Sequence, residues 1–240
     1  KKKKYKSDME ILKRIEYECY GMFLMESIAS RKGGGGGGLN SGKANVQLPK
    51  AVNRAIDSLM SRAKAVSGEV QGMAVDIAKK YGARVTPINL KGKDSIERKV
   101  KAGDKVADIK DAVRTTIVAN KADIPKILRD LGADSRHIRT KVQTADKFDG
   151  YSGNIVNVKV GKVVAEIQVN TPKMIYAKEP PARAAKILGR DEYLNIKRTT
   201  GYNAGEGHMY YEQSRGGTTK GRRNKQGVRQ ASRRYYSVFS

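Results

Sequence analysis

A glutamate and a glutamine, Glu166 and Gln168, stand two apart inside the stretch GKVVAEIQVNTPKM at 161–174. The surrounding Val163, Val164, Ala165, Ile167 and Val169 read as a strand. Side chains alternate across a strand, so Glu166 and Gln168 share one face with Val164, and the other four residues share the opposite one. The apolar face belongs to a core. The second face then holds a carboxylate on a rigid platform, where an acid or base can be kept in place. The same alternation describes an ordinary solvated sheet face, which is the simpler reading, and the pattern by itself leaves both open.

Charge narrows the partners. Lys and Arg number 49 against 24 acidic residues, a formal net charge of +25, so polyanions such as nucleic acid, nucleotide phosphates or an anionic membrane are expected. A chain of 240 residues with 38% hydrophobic content can bury one substantial core, or one core and a small appendage. Its apolar runs fall short of the roughly 20 residues needed to span a bilayer, and it shows no signal peptide. The single Cys19 excludes an internal disulfide framework and a cysteine-rich metal site, which suits a reducing cytoplasm. The opening KKKKYK, without an initiator methionine, predicts a part of a longer polypeptide or a processed product.

Four segments follow from the spacing. Residues 1–32 predict an amphipathic helix, with Ser7 and Glu10 at capping-box spacing and Ile11, Leu12, Ile15, Cys19, Met22 and Phe23 on one side. Six consecutive glycines, Gly33 to Gly38, make 33–48 a linker. The main domain spans 49–215. It opens with helical periodicity over 49–80, where Gly68 and Gly72 predict a break into two helices. Strands are expected at 112–119, 137–144, 154–160 and 162–169, the last two forming a tight hairpin around Gly161. A helix at 121–134 starts at an Asp-Ile-Pro stretch. Residues 216–240 read by composition as a basic, flexible tail on which YYSVFS docks at the end. The fold class is α+β.

Several motifs occur in a telling order. GYSGNIVNVKVGKVVAEIQVNTPKMIYAKE is followed by GEGHMYYEQSR, and preceded by LKGKDSIERKV and IKDAVRTTIV. This arrangement resembles the synthetase domain of the RelA/SpoT family, with its "GY" stretch, "E-I-Q" strand, later "H-x-x-Y-E", and upstream "K-x-x-x-S-I-x-x-K" element. The resemblance covers about residues 50 to 215 and is nearest to the toxin-like and phage-associated branches, the small alarmone synthetases among them. It implies a nucleotidyltransferase-like fold, with a mixed, largely antiparallel sheet of about five strands flanked by helices. It also implies a pyrophosphokinase that moves the β,γ-diphosphate of ATP onto the ribose 3′-hydroxyl of an acceptor.

That chemistry needs cations for the polyphosphate, and the resemblance assigns Lys91, Lys93, Ser95, Arg98, Lys99 and Arg114. It needs magnesium on hard oxygen ligands, for which it assigns Asp111 and Glu166, with Asp108 as the alternative to Asp111. Glu166 also activates the acceptor hydroxyl. Tyr151 is the expected stacking partner of the acceptor purine, with Gln168 and His208 orienting the base or the phosphates. Gln168 as a plain strand-face residue and His208 as a structural histidine are the competing readings. The chain departs from the family pattern at Asn89 and Asn170, where arginines are usual; Lys173 is the candidate replacement for the second.

With only His137 and His208 available, the histidine-aspartate site of the family's hydrolase half is absent, so the expectation is a synthetase alone. An unopposed synthetase suits a growth-inhibiting toxin acting in the cytoplasm, delivered as part of a larger secreted or phage-borne protein. It implies a neutralising immunity protein or antitoxin. The acceptor is a purine nucleotide, GTP or GDP, or ATP or ADP; the tRNA 3′ end and a non-catalytic nucleic-acid-binding module are the alternatives.

Overall fold

The computed structural model describes residues 47–147, 149–215 and 222–240; the expected N-terminal helix and glycine linker lie outside them, apart from the last two linker positions. Helix α1, Lys50–Lys80, is continuous over 31 residues. The expected break at Gly68 and Gly72 does not occur. Both glycines are exposed, so each costs the roughly 1 kcal/mol of a helical glycine without disturbing the buried stripe. That stripe runs from Ile56, Leu59 and Ala63 through Val70, Met73 and Ala74 to Ile77, at helical spacing.

The sheet has six strands: β1 Arg84–Val85, β2 Asn89–Leu90, β3 Val113–Val118, β4 His137–Gln143, β5 Gly153–Val160 and β6 Val163–Asn170. Its order is β1-β3-β6-β5-β4, with β2 also on β3. Only β3 and β6 pair in parallel. The mixed, largely antiparallel α+β architecture agrees with the expectation, one short strand richer. Val160 pairs with Val163 across a two-residue turn in which Gly161 takes φ 56°, a conformation that favours glycine.

Helices α2, Lys93–Lys101, and α3, Ile124–Ala133, join α1 in the main core against Val113, Ile117, Val156, Val158, Ala165, Ile167 and Val169. After β6 come α4 Pro172–Lys178, α5 Pro181–Leu188, α6 Arg190–Thr200 and α7 Glu206–Arg215. Thr171 caps α4, its side chain accepting from the Met174 amide at 3.2 Å. These helices build a second core from Met174, Ile175, Tyr176, Ala184, Leu188, Tyr193 and Ile196.

Over 222–237 the expected flexible tail is instead helical, while YYSVFS docks as expected. Arg222–Ser237 is helix α8, and Tyr235, Tyr236 and Phe239 are buried in the second core. Charge dominates the tail's composition, but three aromatics at i, i+1 and i+4 form one apolar face, each worth about 1.5–3 kcal/mol when buried. The Tyr235 hydroxyl lies within hydrogen-bond reach of the Ala177 and Asn203 carbonyls. Burial pushes the phenols of Tyr235 and Tyr236 up, so both stay neutral.

Gly207, on α7, is where this docking is tightest, because a Cβ there would run into the Tyr236 ring and hydroxyl. We expect Gly207→Ala to lower stability by about 1–3 kcal/mol through overpacking. Chemical denaturation checks this; an unchanged midpoint would mean that α8 is not docked as described.

Candidate active site

Strand pairing assembles the chemistry on the face opposite the main core. In the parallel β3–β6 ladder Arg114 stands beside Glu166 and Thr116 beside Gln168, while Asn157 of β5 stands on the other side of Glu166. Register partners share a face, so a guanidinium and a carboxylate emerge side by side from two central strands. Glu166 is half-buried, and its Oε1 accepts from Gln168 Nε2 at 2.7 Å. Gln168 Oε1 in turn accepts from Lys178 Nζ at 2.6 Å. The amide thus orients the carboxylate and is itself held by a lysine, whereas Arg114 has no ion pair among the described residues.

This face opens into a cleft of about 570 Å³, lined by Arg114, Tyr151, Gln168 and His208 together with Lys178, Glu179, Arg183 and Arg229. The size suits a nucleotide. Tyr151 sits in the loop before β5, its hydroxyl donating to Asn170 Oδ1 at 3.2 Å and its ring edge-on to Tyr236 at 5.6 Å. His208, on α7, is exposed at the cleft.

Lys91, Lys99 and Asp111 form a second cluster. Lys91 Nζ meets Asp111 Oδ2 at 2.7 Å and Lys99 Nζ meets Oδ1 at 3.1 Å. Lys91 prolongs the β2–β3 pairing through its amide to the Ala112 carbonyl. By alternation from the Asn89–Arg114 pair it lies on the Arg114 face, one step along. Burial alone would raise the Asp111 carboxyl, but hydrogen bonds and charge from Lys91 and Lys99 outweigh it and hold it below the usual range.

The remaining assigned residues make other contacts. Lys93 pairs with Asp57 of α1 at 2.6 Å, and Arg98 donates to Ser95 Oγ at 3.2 Å on the exposed side of α2. Asp108 lies exposed in a short turn of 3-10 helix, Val106–Asp108. Lys173 borders a second cavity, which Asn170 also lines.

Donor chemistry decides how magnesium can be held. Among the described residues no group of three or more His, Cys, Asp and Glu is arranged to hold a metal. Both Asp111 oxygens carry an ammonium contact, whereas Glu166 offers a hard carboxylate beside an amide. The set fits an ion that arrives with phosphate oxygens as most of its ligands, not a closed protein cage.

The lowered Asp111 carboxyl has a pH signature. Its contribution to stability is present above its ordinary pKa of about 4 and is lost as pH falls toward the lowered value. Thermal melts from pH 7 to 3 should therefore fall away below about pH 4, and Asp111→Asn should make that acid limb shallower, Asp134 and the other paired carboxylates supplying the rest. An unchanged limb in the variant would contradict the pairing.

Lys178, Glu179, Arg183, Asp149, Arg229 and Ser232 were not foreseen. The first three follow the strand on helices whose approach to the cleft is tertiary, and the others reach it through α8 docking. A basic "AKE" ten residues after Gln168 was the one local signal.

Comparison with known proteins places this geometry. No family model matches the chain. It is 32% identical over 187 residues to the (p)ppApp synthetase toxin Tas1 of Pseudomonas aeruginosa (strain UCBPP-PA14), covering 76% of this chain and 42% of that protein. The chain thus spans about two fifths of the length of that curated relative. The crystal structure of the complex between the Type VI effector Tas1 and its immunity protein superposes with a TM-score of 0.69 at 31% identity, over 80% of this chain and 98% of that one. With close to a third of its residues shared along nearly the whole of a solved effector chain, and with the motif order traced above, the chain belongs to the RelA/SpoT synthetase family, alongside Tas1.

Proposed function

We propose that this protein is an ATP-dependent pyrophosphokinase that transfers the β,γ-diphosphate of ATP to the ribose 3′-hydroxyl of an adenine nucleotide. The observation that carries this reading is the pairing of Arg114 and Glu166 on one sheet face, beside a nucleotide-sized cleft that contains Tyr151. A (p)ppApp synthetase among the relatives favours adenine over guanine as the acceptor base.

In the reaction the acceptor oxygen attacks the β-phosphorus, a new P–O bond forms, and the bond between the α,β-bridging oxygen and the β-phosphorus breaks to release AMP. Glu166 takes the hydroxyl proton, held in place by Gln168 and, behind it, Lys178. Arg114 meets the charge that builds on the transferring group, and Lys91 and Lys99 receive the rest of the donor chain. Tyr151 offers its ring to the acceptor purine, with His208 at the rim. Magnesium would be held by Glu166 and phosphate oxygens and would neutralise polyphosphate charge, with Asp111 joining by exchange of a lysine.

Acting on the nucleotide pool of a target bacterium, the enzyme is a growth-inhibiting toxin. As with the Tas1 effector, a dedicated immunity protein is its expected partner. No helix among the described residues is long and apolar enough to cross a membrane. The formal net charge of +25 supports one other acceptor, the 3′ end of tRNA. Incubation with γ-labelled ATP and, in separate tubes, adenine nucleotides, guanine nucleotides or bulk tRNA separates these. We expect label in adenine nucleotides; label confined to tRNA would overturn the acceptor assignment.

A further inference from the structure

Helix α8 does more than complete the second core. It is pinned to the loop that carries Tyr151 by five contacts. Asp149, a non-glycine residue at φ 52°, pairs through its carboxylate with Arg229 Nε and Arg233 Nη2, each at 3.5 Å. Ser232 Oγ donates to the Asp149 carbonyl at 2.7 Å. Gly150, at φ 95°, lets the helix approach so closely that a Cβ there would lie 2.8 Å from the Arg233 Cα. Finally, Tyr236 holds the edge of the Tyr151 ring.

Asp149 and Gly150, both at positive φ, suit the left-handed turn they form, and the docked helix fixes that turn in place. The same helix places Arg229 at the cleft wall, where Lys147 of the loop and Arg183 of α5 also stand. Arg183 is tied to Glu179 at 3.1 Å, so it is partly neutralised. Among the described residues Arg229 is held by the long contact to Asp149 alone, and 59% of its side chain is exposed. A phosphate group, with more charge and better-directed oxygens than that single carboxylate, can draw the guanidinium away.

We propose that Arg229, carried by the C-terminal helix, binds the 5′-phosphate chain of the acceptor nucleotide and sets a preference for acceptors with more than one phosphate. This rests on reading the cleft as the acceptor site. With the purine at Tyr151 and the ribose hydroxyl toward Glu166, the 5′ substituent is left facing the cation-lined wall. A monophosphate engages that wall weakly, and a diphosphate spans toward Arg229.

The test is a competition. Equimolar AMP and ADP are offered in one tube with labelled ATP, and the products are separated by anion exchange at low conversion, before the AMP released from ATP alters the acceptor ratio, so that their ratio reads the ratio of kcat/KM. Wild-type protein should favour ADP. Arg229→Ala should cut the ADP-to-AMP product ratio about tenfold, the size expected for one lost charge-assisted hydrogen bond, and Arg229→Lys should restore part of it. Asp149→Asn breaks the same pin but leaves the guanidinium in place, so it should keep the ratio high. If Asp149→Asn lowered the ratio as much as Arg229→Ala, Arg229 would be only a positioning residue for the loop. An unchanged ratio in Arg229→Ala, while Tyr151→Ala loses acceptor use, would overturn this proposal and leave the acceptor site standing. If Tyr151→Ala instead changed nothing, the cleft reading itself would fall.

Discussion

Glu166→Gln should leave the protein folded and reduce diphosphate transfer by about 10²- to 10⁴-fold, the usual contribution of a positioned general base. The substitution keeps the size of the side chain and its place on β6, between Arg114 and Asn157. An amide cannot take the acceptor proton, and it can still pair with Gln168 after a rotation of either group. Nucleotide binding should therefore persist. The diagnostic combination is an unchanged melting temperature, retained binding of a non-hydrolysable ATP analogue measured without magnesium, and a collapsed turnover. Turnover within a factor of three of wild type would remove Glu166 from the chemistry.

Arg114→Met should come next in severity, with a loss of about 10²- to 10³-fold in kcat, as when a preorganised charge stabiliser is removed from an active site. Arg114 lies half-buried on β3 without an ion pair among the described residues, so its charge is presented to the cleft and not spent on a neighbour. Methionine preserves the aliphatic stem that packs on the sheet. Arg114→Lys should recover only part of the activity, since an ammonium lacks the planar fork that meets two phosphate oxygens at once. Full activity in the lysine variant would show that a point charge is enough; full activity in the methionine variant would remove the residue from the mechanism.

Much of this was legible in the chain, for reasons specific to each residue. Period-two alternation put Glu166 and Gln168 on the polar face of a strand, and burial alternates along β6 as that pattern requires. Strand pairing, which no local pattern encodes, was needed to bring Arg114 against Glu166 across 52 positions. Lys93 has a second partner that motif spacing did not show. Its position in the upstream element resembles a phosphate ligand, yet it starts α2, where it meets Asp57 of α1. Gly68 and Gly72 were read as breakers because their intrinsic cost is local, whereas the stripe that overrides them extends over the whole of α1. In the C-terminal segment YYSVFS marked the docking point, while the surrounding charge hid the helix that leads to it. Three aromatics among many arginines change the composition little, but they decide which side of α8 faces the protein and so carry Arg229 and Ser232 to the cleft.

The most direct test of the account is phosphorus NMR of the purified chain with ATP, an adenine nucleotide acceptor and magnesium. The account predicts that ATP yields AMP, and that each AMP is matched by one nucleotide carrying a new 3′-diphosphate, with Glu166→Gln silent under the same conditions. Appearance of ADP and inorganic phosphate instead, or no turnover in the wild-type protein, would contradict it.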